Sequence, residues 1–159
     1  MTGVPEKILI LHDDYHAKYI GKLADGSQFF LSSAFDPAIG GKLRREFVAL
    51  FIFDDDGALI EDRIDDVGTL GEAIQANVLP GNKIQSHKMI DERLKQRLAG
   101  LGDFRFDNIQ IRPFEIERSG IQFGFIPLAP EEEDEDWCVE FHPGNFMAFY
   151  PPWDGEYDT

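Results

Sequence analysis

The residues best suited to chemistry stand together near the start of the 159-residue chain, at His12, Asp13, Asp14 and His16. Imidazole nitrogens and carboxylate oxygens are zinc ligands, and two histidines four residues apart share one face of a helix. The flanking residues instead favour an extended chain, in which positions i and i+4 lie about 13 Å apart, too far for one ion. We therefore expect no bound metal or cofactor, and His12, Asp14 and His16 are the candidate ligands if a metal does bind.

Elsewhere the chain matches no standard catalytic signature. It has no nucleophile elbow, Walker loop, dinucleotide-binding glycine turn or zinc-protease helix motif. Cys138 is the only cysteine, and its place beside Trp137 in a predicted strand indicates a buried, unreactive thiol. The acids before Gly57 lack the alternation and the terminal glutamate of a calcium loop and are typical of a hairpin turn. The sequence therefore yields no catalytic residue and favours a protein that is not an enzyme.

Charge is unevenly distributed along the chain, whose 15 Lys and Arg and 30 Asp and Glu give a formal net charge of −15. Residues 119–159 contain no Lys or Arg and ten of the acids. This excludes direct nucleic-acid binding by bulk electrostatics, because phosphate contact needs clustered cations. The longest apolar run has seven residues, against roughly 20 for a membrane-spanning helix. With no signal-peptide pattern, we expect a cytoplasmic protein without membrane contact.

The acidic C-terminal quarter is also rich in aromatic residues, seven of them from Trp137 onward. Within a single domain of residues 1–159, we expect an acidic loop at 130–136 and an acidic-aromatic tail at 151–159 to face a basic protein partner. Large aromatics supply anchoring area, and carboxylates steer and pair with basic groups. The predicted partner-binding residues are Trp153, Asp154, Glu156, Tyr157, Asp158, Glu132, Glu133 and Asp134.

Two simpler interpretations of these segments remain open. The loop can be an ordinary solvated loop, and the tail can fold back onto the domain as packed structure. A chain cut after Tyr150 would stay folded and lose its partner if the tail is an interaction element, and would unfold if the tail is packed structure.

Turn residues and periodicity predict the elements that position these groups. Asp25–Gly26 between two strand-like runs predicts a hairpin, since both residues suit a turn that needs positive φ. A second hairpin is predicted at Asp54–Gly57, after the apolar run 46–53. On its return strand, Ile60 and Ile64 are expected to face inward.

Two helices are predicted in the middle of the chain. A capping box at Thr69–Glu72 opens a short helix that ends at Pro80–Gly81, and an apolar stripe predicts a second helix from about Asn82 to about Leu98. Strands precede and follow these helices. The predicted fold class is therefore α+β, a mainly antiparallel sheet of about eight strands with two central helices.

Several stretches at the two ends of the chain resemble a family of small bacterial proteins labelled formate hydrogenlyase regulatory protein-like. They are Pro5–Ile8, His12–His16, Ile20–Gly21, Asp25–Phe30 and Met147–Thr159. The resemblance covers less of the middle of the chain. It implies a cytoplasmic, non-catalytic regulator that acts through protein contact, and it carries over no catalytic or ligand residue.

The expected function is that of a non-catalytic acidic protein that binds a basic protein partner. A bacterial regulator and an immunity-type inhibitor of a toxin both belong to this class. One alternative is a small enzyme or metal-binding protein centred on His12–His16. The other is a structural subunit that forms homo-oligomers, such as a homodimer.

Overall fold

Antiparallel strand pairing dominates the computed structural model, which describes residues 3–36, 45–69, 83–144 and 146–159. The described residues form twelve strands and one helix, α1, which spans Lys83–Ala99 between β5 and β6. The strands are β1 Ile8–Ile10, β2 Tyr19–Leu23, β3 Gln28–Asp36, β4 Arg45–Phe53, β5 Leu59–Thr69, β6 Phe104–Phe106, β7 Ile109–Ile111, β8 Phe114–Arg118, β9 Ile121–Leu128, β10 Cys138–His142, β11 Ala148–Phe149 and β12 Tyr157–Asp158.

These strands form two five-stranded sheets and one two-stranded ribbon. The first sheet has the order β5-β4-β3-β2-β6, and the second sheet has the order β12-β11-β10-β9-β8. The ribbon pairs β1 with β7. In the described part of the chain, no helix is long and apolar enough to cross a membrane.

The predicted α+β class with two central helices is wrong, because the described residues form a mainly β structure with one helix. That helix is the second predicted one, whereas the residues given to the first, 70–81, lie outside the described residues. Twelve strands replace the expected eight partly because β1, β6 and β12 are only two or three residues long. In addition, Pro113 divides one apolar run into β7 and β8, which join different sheets.

Phenylalanine rings fill the space between the two sheets. Phe30 meets Phe125 edge-to-face with ring centres 4.9 Å apart, and Phe47 meets Phe123 in the same way at 5.2 Å. The opposite face of the first sheet packs against α1 through Phe29, Leu31, Val48, Leu50, Ile90 and Leu94. Strands β3 and β4 are thus covered on both faces, which explains the nearly continuous apolar run in β4.

The two predicted hairpins are confirmed. Strand β2 turns into β3 at Asp25–Gly26, and β4 turns into β5 at Asp54–Gly57. The first turn differs from the predicted type, because Gly26 has a positive φ and Asp25 does not. A register shift next to the second turn pairs Ile52 with Glu61 but Phe53 with Leu59. The residue left over, Ile60, is therefore 60% exposed, contrary to its predicted inward position.

Gln28, only 1% exposed, is a polar residue inside this apolar structure. Its Nε2 donates to the carbonyl oxygens of Asp54 and Gln110, at 3.0 and 2.9 Å. Its Oε1 accepts from the Gln110 N–H at 2.9 Å and from Lys22 Nζ at 2.8 Å. All donor and acceptor sites of the amide are occupied, so one side chain fastens β7 and the β4–β5 turn to β3.

Replacement of this amide tests that role. We expect Gln28→Met, which keeps the side-chain volume, to lower the free energy of unfolding by about 2–4 kcal/mol, because unpaired buried backbone groups cost about 1–3 kcal/mol each. The matched control is Gln122→Met on the exposed side of β9, expected to stay within about 0.5 kcal/mol of the wild type. Urea unfolding measures both. Equal free energies of unfolding for the two variants would show that the hydrogen bonds of Gln28 do not stabilise the fold.

Candidate functional site

The C-terminal tail packs against the segment that follows β1. The Leu9 N–H donates to the Trp153 carbonyl oxygen at 3.4 Å, and β12 pairs with β11. Trp153 and Tyr157 are half-buried against the core between the sheets. Gly155 is buried so closely that an added Cβ would lie 2.5 Å from Leu11 Cγ. The tail therefore follows the packed interpretation, and its two large aromatics contact their own domain.

Asp13 fastens this tail. One of its carboxylate oxygens accepts from the Tyr157 hydroxyl at 2.5 Å, and the other accepts from the N–H groups of Tyr15 and Ala17 at 2.8 and 3.0 Å. Burial raises the Asp13 pKa, but these bonds outweigh it and leave the pKa below its ordinary value. Burial, together with the bond to Asp13, raises the pKa of Tyr157 to about 12.

The candidate metal ligands do not converge. His12 Nε2 lies 2.9 Å from the Lys18 carbonyl oxygen, whereas the His16 ring packs against Tyr15 and Phe146. Asp14 is exposed. The described residues contain no group of three or more His, Cys, Asp or Glu that could hold a metal ion. The described contacts give this segment a structural use, in which Asp13 binds the tail.

A cleft of about 620 Å³ separates the tail from the segment that precedes β2. We call it the tail cleft. The residues that line it are Leu11, His12, Asp13 and Tyr15 on one side and Gly155, Glu156, Tyr157, Asp158 and Thr159 on the other. The sequence marked both segments as unusual, but their meeting in one cleft depends on contacts between residues far apart in the chain.

A second feature of the tail is its position beside Tyr150, whose ring is 44% exposed. The pairing of β10, β11 and β12 places Glu140, Ala148 and Asp158 side by side. Partial burial raises the Tyr150 pKa, and the nearby Cys138 thiol and the charges of Asp158, Glu140 and Glu135 raise it further. Carboxylates of the loop, β10 and β12 therefore surround one exposed aromatic ring.

We call this surface the acidic face and define it by Glu135, Glu140, Tyr150, Asp154 and Asp158. A hollow of about 210 Å³ opens beside Tyr150 and is lined by Tyr150, Pro151, Pro152, Asp154, Glu156, Tyr157 and Asp158. The sequence analysis did not select Tyr150 as a site residue, because Tyr150 lies at the end of a predicted strand. Its exposure to solvent becomes visible only in the folded structure.

The predicted partner-binding acids are all exposed. Glu132, Glu133 and Asp134 lie in the loop between β9 and β10, and Asp154, Glu156 and Asp158 lie on the tail. No described Lys or Arg forms an ion pair with any of these six carboxylates. Their charge is therefore open to a partner.

Cys138 provides no nucleophile. Its sulfur lies 4.0 Å from a carboxylate oxygen of Glu140, and Glu140 in turn lies 3.3 Å from His142 Nε2. The group next to the thiol is thus an acid rather than an imidazole base. Burial and the charge of Glu140 raise the Cys138 pKa, which keeps the thiol protonated.

Comparison of the chain with protein-family models, with curated proteins and with solved structures finds no match. The resemblance to the formate hydrogenlyase regulatory protein-like family therefore rests on the sequence stretches alone. The fold and the surface together identify the class of protein: a mainly β protein whose C-terminal strands carry an acidic, aromatic surface.

The bond between Tyr157 and Asp13 gives a pH-dependent test. We expect Tyr157→Phe to lower stability at pH 7 by about 1–2 kcal/mol, because a hydrogen bond to a charged group is lost. The wild type should also lose stability as pH rises from about 10, the pKa of an unfolded tyrosine, towards the folded value of about 12. Tyr157→Phe lacks this component.

Tyr15→Phe is the matched control, since the described hydrogen bonds include none to the Tyr15 hydroxyl and its ring is largely exposed. Urea unfolding from pH 7 to 12 compares the three proteins. If the free energy of unfolding depends on pH in the same way for Tyr157→Phe and Tyr15→Phe, the role given to the Tyr157 hydroxyl is contradicted.

Removal of the tail tests its packing. We expect a chain cut after Tyr150 to lose at least about 3 kcal/mol of stability, because it loses two large aromatics from the core surface as well as β12. The triple variant Asp154→Asn, Glu156→Gln, Asp158→Asn removes only the exposed charges and should melt close to the wild type. A truncated chain with an unchanged melting temperature would rule out the packed interpretation.

Proposed function

We propose that this protein is a non-catalytic cytoplasmic protein that binds a basic protein partner and regulates or inhibits it by contact. The acidic face carries the proposal. There the exposed Tyr150 lies beside a hollow that Asp154 and Asp158 also line, and strand pairing places Asp158 of β12 in line with Glu140 of β10. An exposed aromatic ring and exposed carboxylates on one surface suit a partner that offers Lys or Arg beside apolar side chains.

The charge distribution supports the same conclusion. Every Lys and Arg of the chain lies within residues 1–118. Among the described ion pairs, none joins a Lys or Arg to the six acids Glu132, Glu133, Asp134, Asp154, Glu156 and Asp158. Such a surface produces a one-sign field that speeds encounter with a basic protein. It opposes a homodimer through this face, because two copies would bring like charges together.

Packing changes the roles assigned to the tail residues. Trp153 and Tyr157, predicted as anchors, hold the tail on the domain, and the exposed acids Asp154, Glu156 and Asp158 lie on that fixed support. Tyr150 takes the role of the anchor in our proposal. A surface held in place before binding loses less conformational entropy when the partner docks.

A regulator and an immunity-type inhibitor make the same physical demands on this surface. Both need a tight, charge-steered contact and no reaction chemistry. The resemblance to the formate hydrogenlyase regulatory protein-like family favours the regulator within our proposal.

The test compares partner capture and kinetics between charge variants. Wild-type protein, immobilised in lysate of its source organism, should enrich a basic protein that the triple variant Asp154→Asn, Glu156→Gln, Asp158→Asn enriches about tenfold less. With the purified pair, the association rate should fall as salt rises from 0.1 to 1 M, because the Debye length shrinks from ~10 to ~3 Å. Tyr150→Ala should mainly raise the dissociation rate.

The control is a second triple variant with the same change in net charge, Asp55→Asn, Glu92→Gln, Asp103→Asn, at exposed acids away from the acidic face. It should capture the partner like the wild type. If both triple variants lose partner capture to the same extent, net charge alone explains the loss and the acidic face is not the binding surface. An enriched partner without basic character would contradict the proposal.

A further inference from the structure

We propose that the tail cleft is the subsite that receives cationic side chains, arginine foremost, from an extended basic segment of the partner. This inference rests on the proposed function and adds to it the place and the side-chain chemistry of recognition. The cleft and the Tyr150 hollow are neighbouring cavities of the tail, since both are lined by Glu156, Tyr157 and Asp158.

The dimensions of the cleft suit a few side chains. Its volume of about 620 Å³ lies within the range of about 300–1,000 Å³ that is common for ligand pockets. One wall comes from the segment after β1 and the other from the tail, and these walls meet where Tyr157 binds Asp13 and Gly155 packs against Leu11, so the cleft is an open depression along this contact. An extended peptide fits this shape and can place successive side chains against both walls.

The exposed ring of Tyr15 gives the cleft its preference for arginine. The ring lies against His16, with centres 3.8 Å apart, and 65% of the residue remains exposed. A guanidinium group can stack on such a ring through its flat face while its edge donates to carboxylates. Glu156 and Asp158 supply those carboxylates on the opposite wall.

Two further residues of the lining support this assignment. Leu11 is partly exposed in the cleft and can contact the methylene stem of a long cationic side chain. Asp13 already accepts from Tyr157, Tyr15 and Ala17, so it fixes the wall rather than offering a free charge. Among the described residues that line the cleft, none is a lysine or an arginine that would neutralise the acids.

The experiment measures binding of synthetic hexa-arginine and hexa-lysine peptides to the full chain at 0.15 M salt by calorimetry. The wild type should bind hexa-arginine several-fold more tightly than hexa-lysine, because only the guanidinium combines stacking with paired hydrogen bonds. Tyr15→Ala should weaken hexa-arginine binding about tenfold and remove most of the preference. Glu156→Gln, Asp158→Asn should weaken both peptides about tenfold.

Ile60→Ala and the pair Asp55→Asn, Asp103→Asn are the matched controls, one for an exposed apolar side chain outside the cleft and one for net charge. Both should bind hexa-arginine like the wild type. Amide shifts on peptide addition should centre on Tyr15 and Asp158 rather than on Glu135. Melting temperatures within about 2 °C of the wild type establish that each variant is folded.

Two results would overturn the inference in different ways. If Tyr150→Ala weakens peptide binding and Tyr15→Ala does not, the basic segment lies on the acidic face outside the cleft, and the proposed function stands without this subsite. If the wild type binds neither peptide, the subsite is contradicted, and the proposed function also fails only if the capture experiment enriches no basic protein.

Discussion

A buried amide, Gln28, acts together with a backbone hydrogen bond from the Arg112 N–H to the Gly57 carbonyl oxygen to join the parts of the fold that support the proposed binding surface. Gln28 bonds to the backbone of Gln110 in β7 and of Asp54 in the β4–β5 turn, where no strand pairing joins these segments. Strand β7 then pairs with β1, and β1 leads directly into the segment that contains Asp13. Asp13 in turn binds Tyr157, so a series of contacts connects the buried amide to the tail, which is also held by its pairing with β11 and by the hydrogen bond from Leu9 to Trp153.

Side chains of the C-terminal strands alternate between the core and the solvent. Phe149 and Tyr157 pair across β11 and β12 and face the core, whereas the neighbouring positions carry Ala148 and Asp158 outward. Aromatic residues that looked like anchors in the sequence therefore stabilise the scaffold, and the acids beside them meet solvent. A strand displays its charges at fixed spacing, which a free tail would not do.

Sequence reasoning succeeded where structure is decided locally. The turns at Asp25–Gly26 and Asp54–Gly57 end in a glycine and contain aspartate, residue types that predict a hairpin turn from the local sequence. It failed on fold class, because short strands such as β6 and β12 arise from backbone pairing with distant partners and leave no periodicity to detect. For the site, composition identified the acids, but no local pattern connects Tyr157 with Asp13 or exposes Tyr15.

The contact between Asp13 and Tyr157 spans 144 positions of the chain. During synthesis the first of these residues leaves the ribosome long before the second is added, so a nascent chain can form the early hairpins without closing the cleft. Contacts of such sequence separation form late also in refolding, because the closure of a long loop must be offset by structure already in place. The contact that closes the cleft consequently forms only after residue 157 has been synthesised, so the surface that we propose for recognition is complete only at that stage.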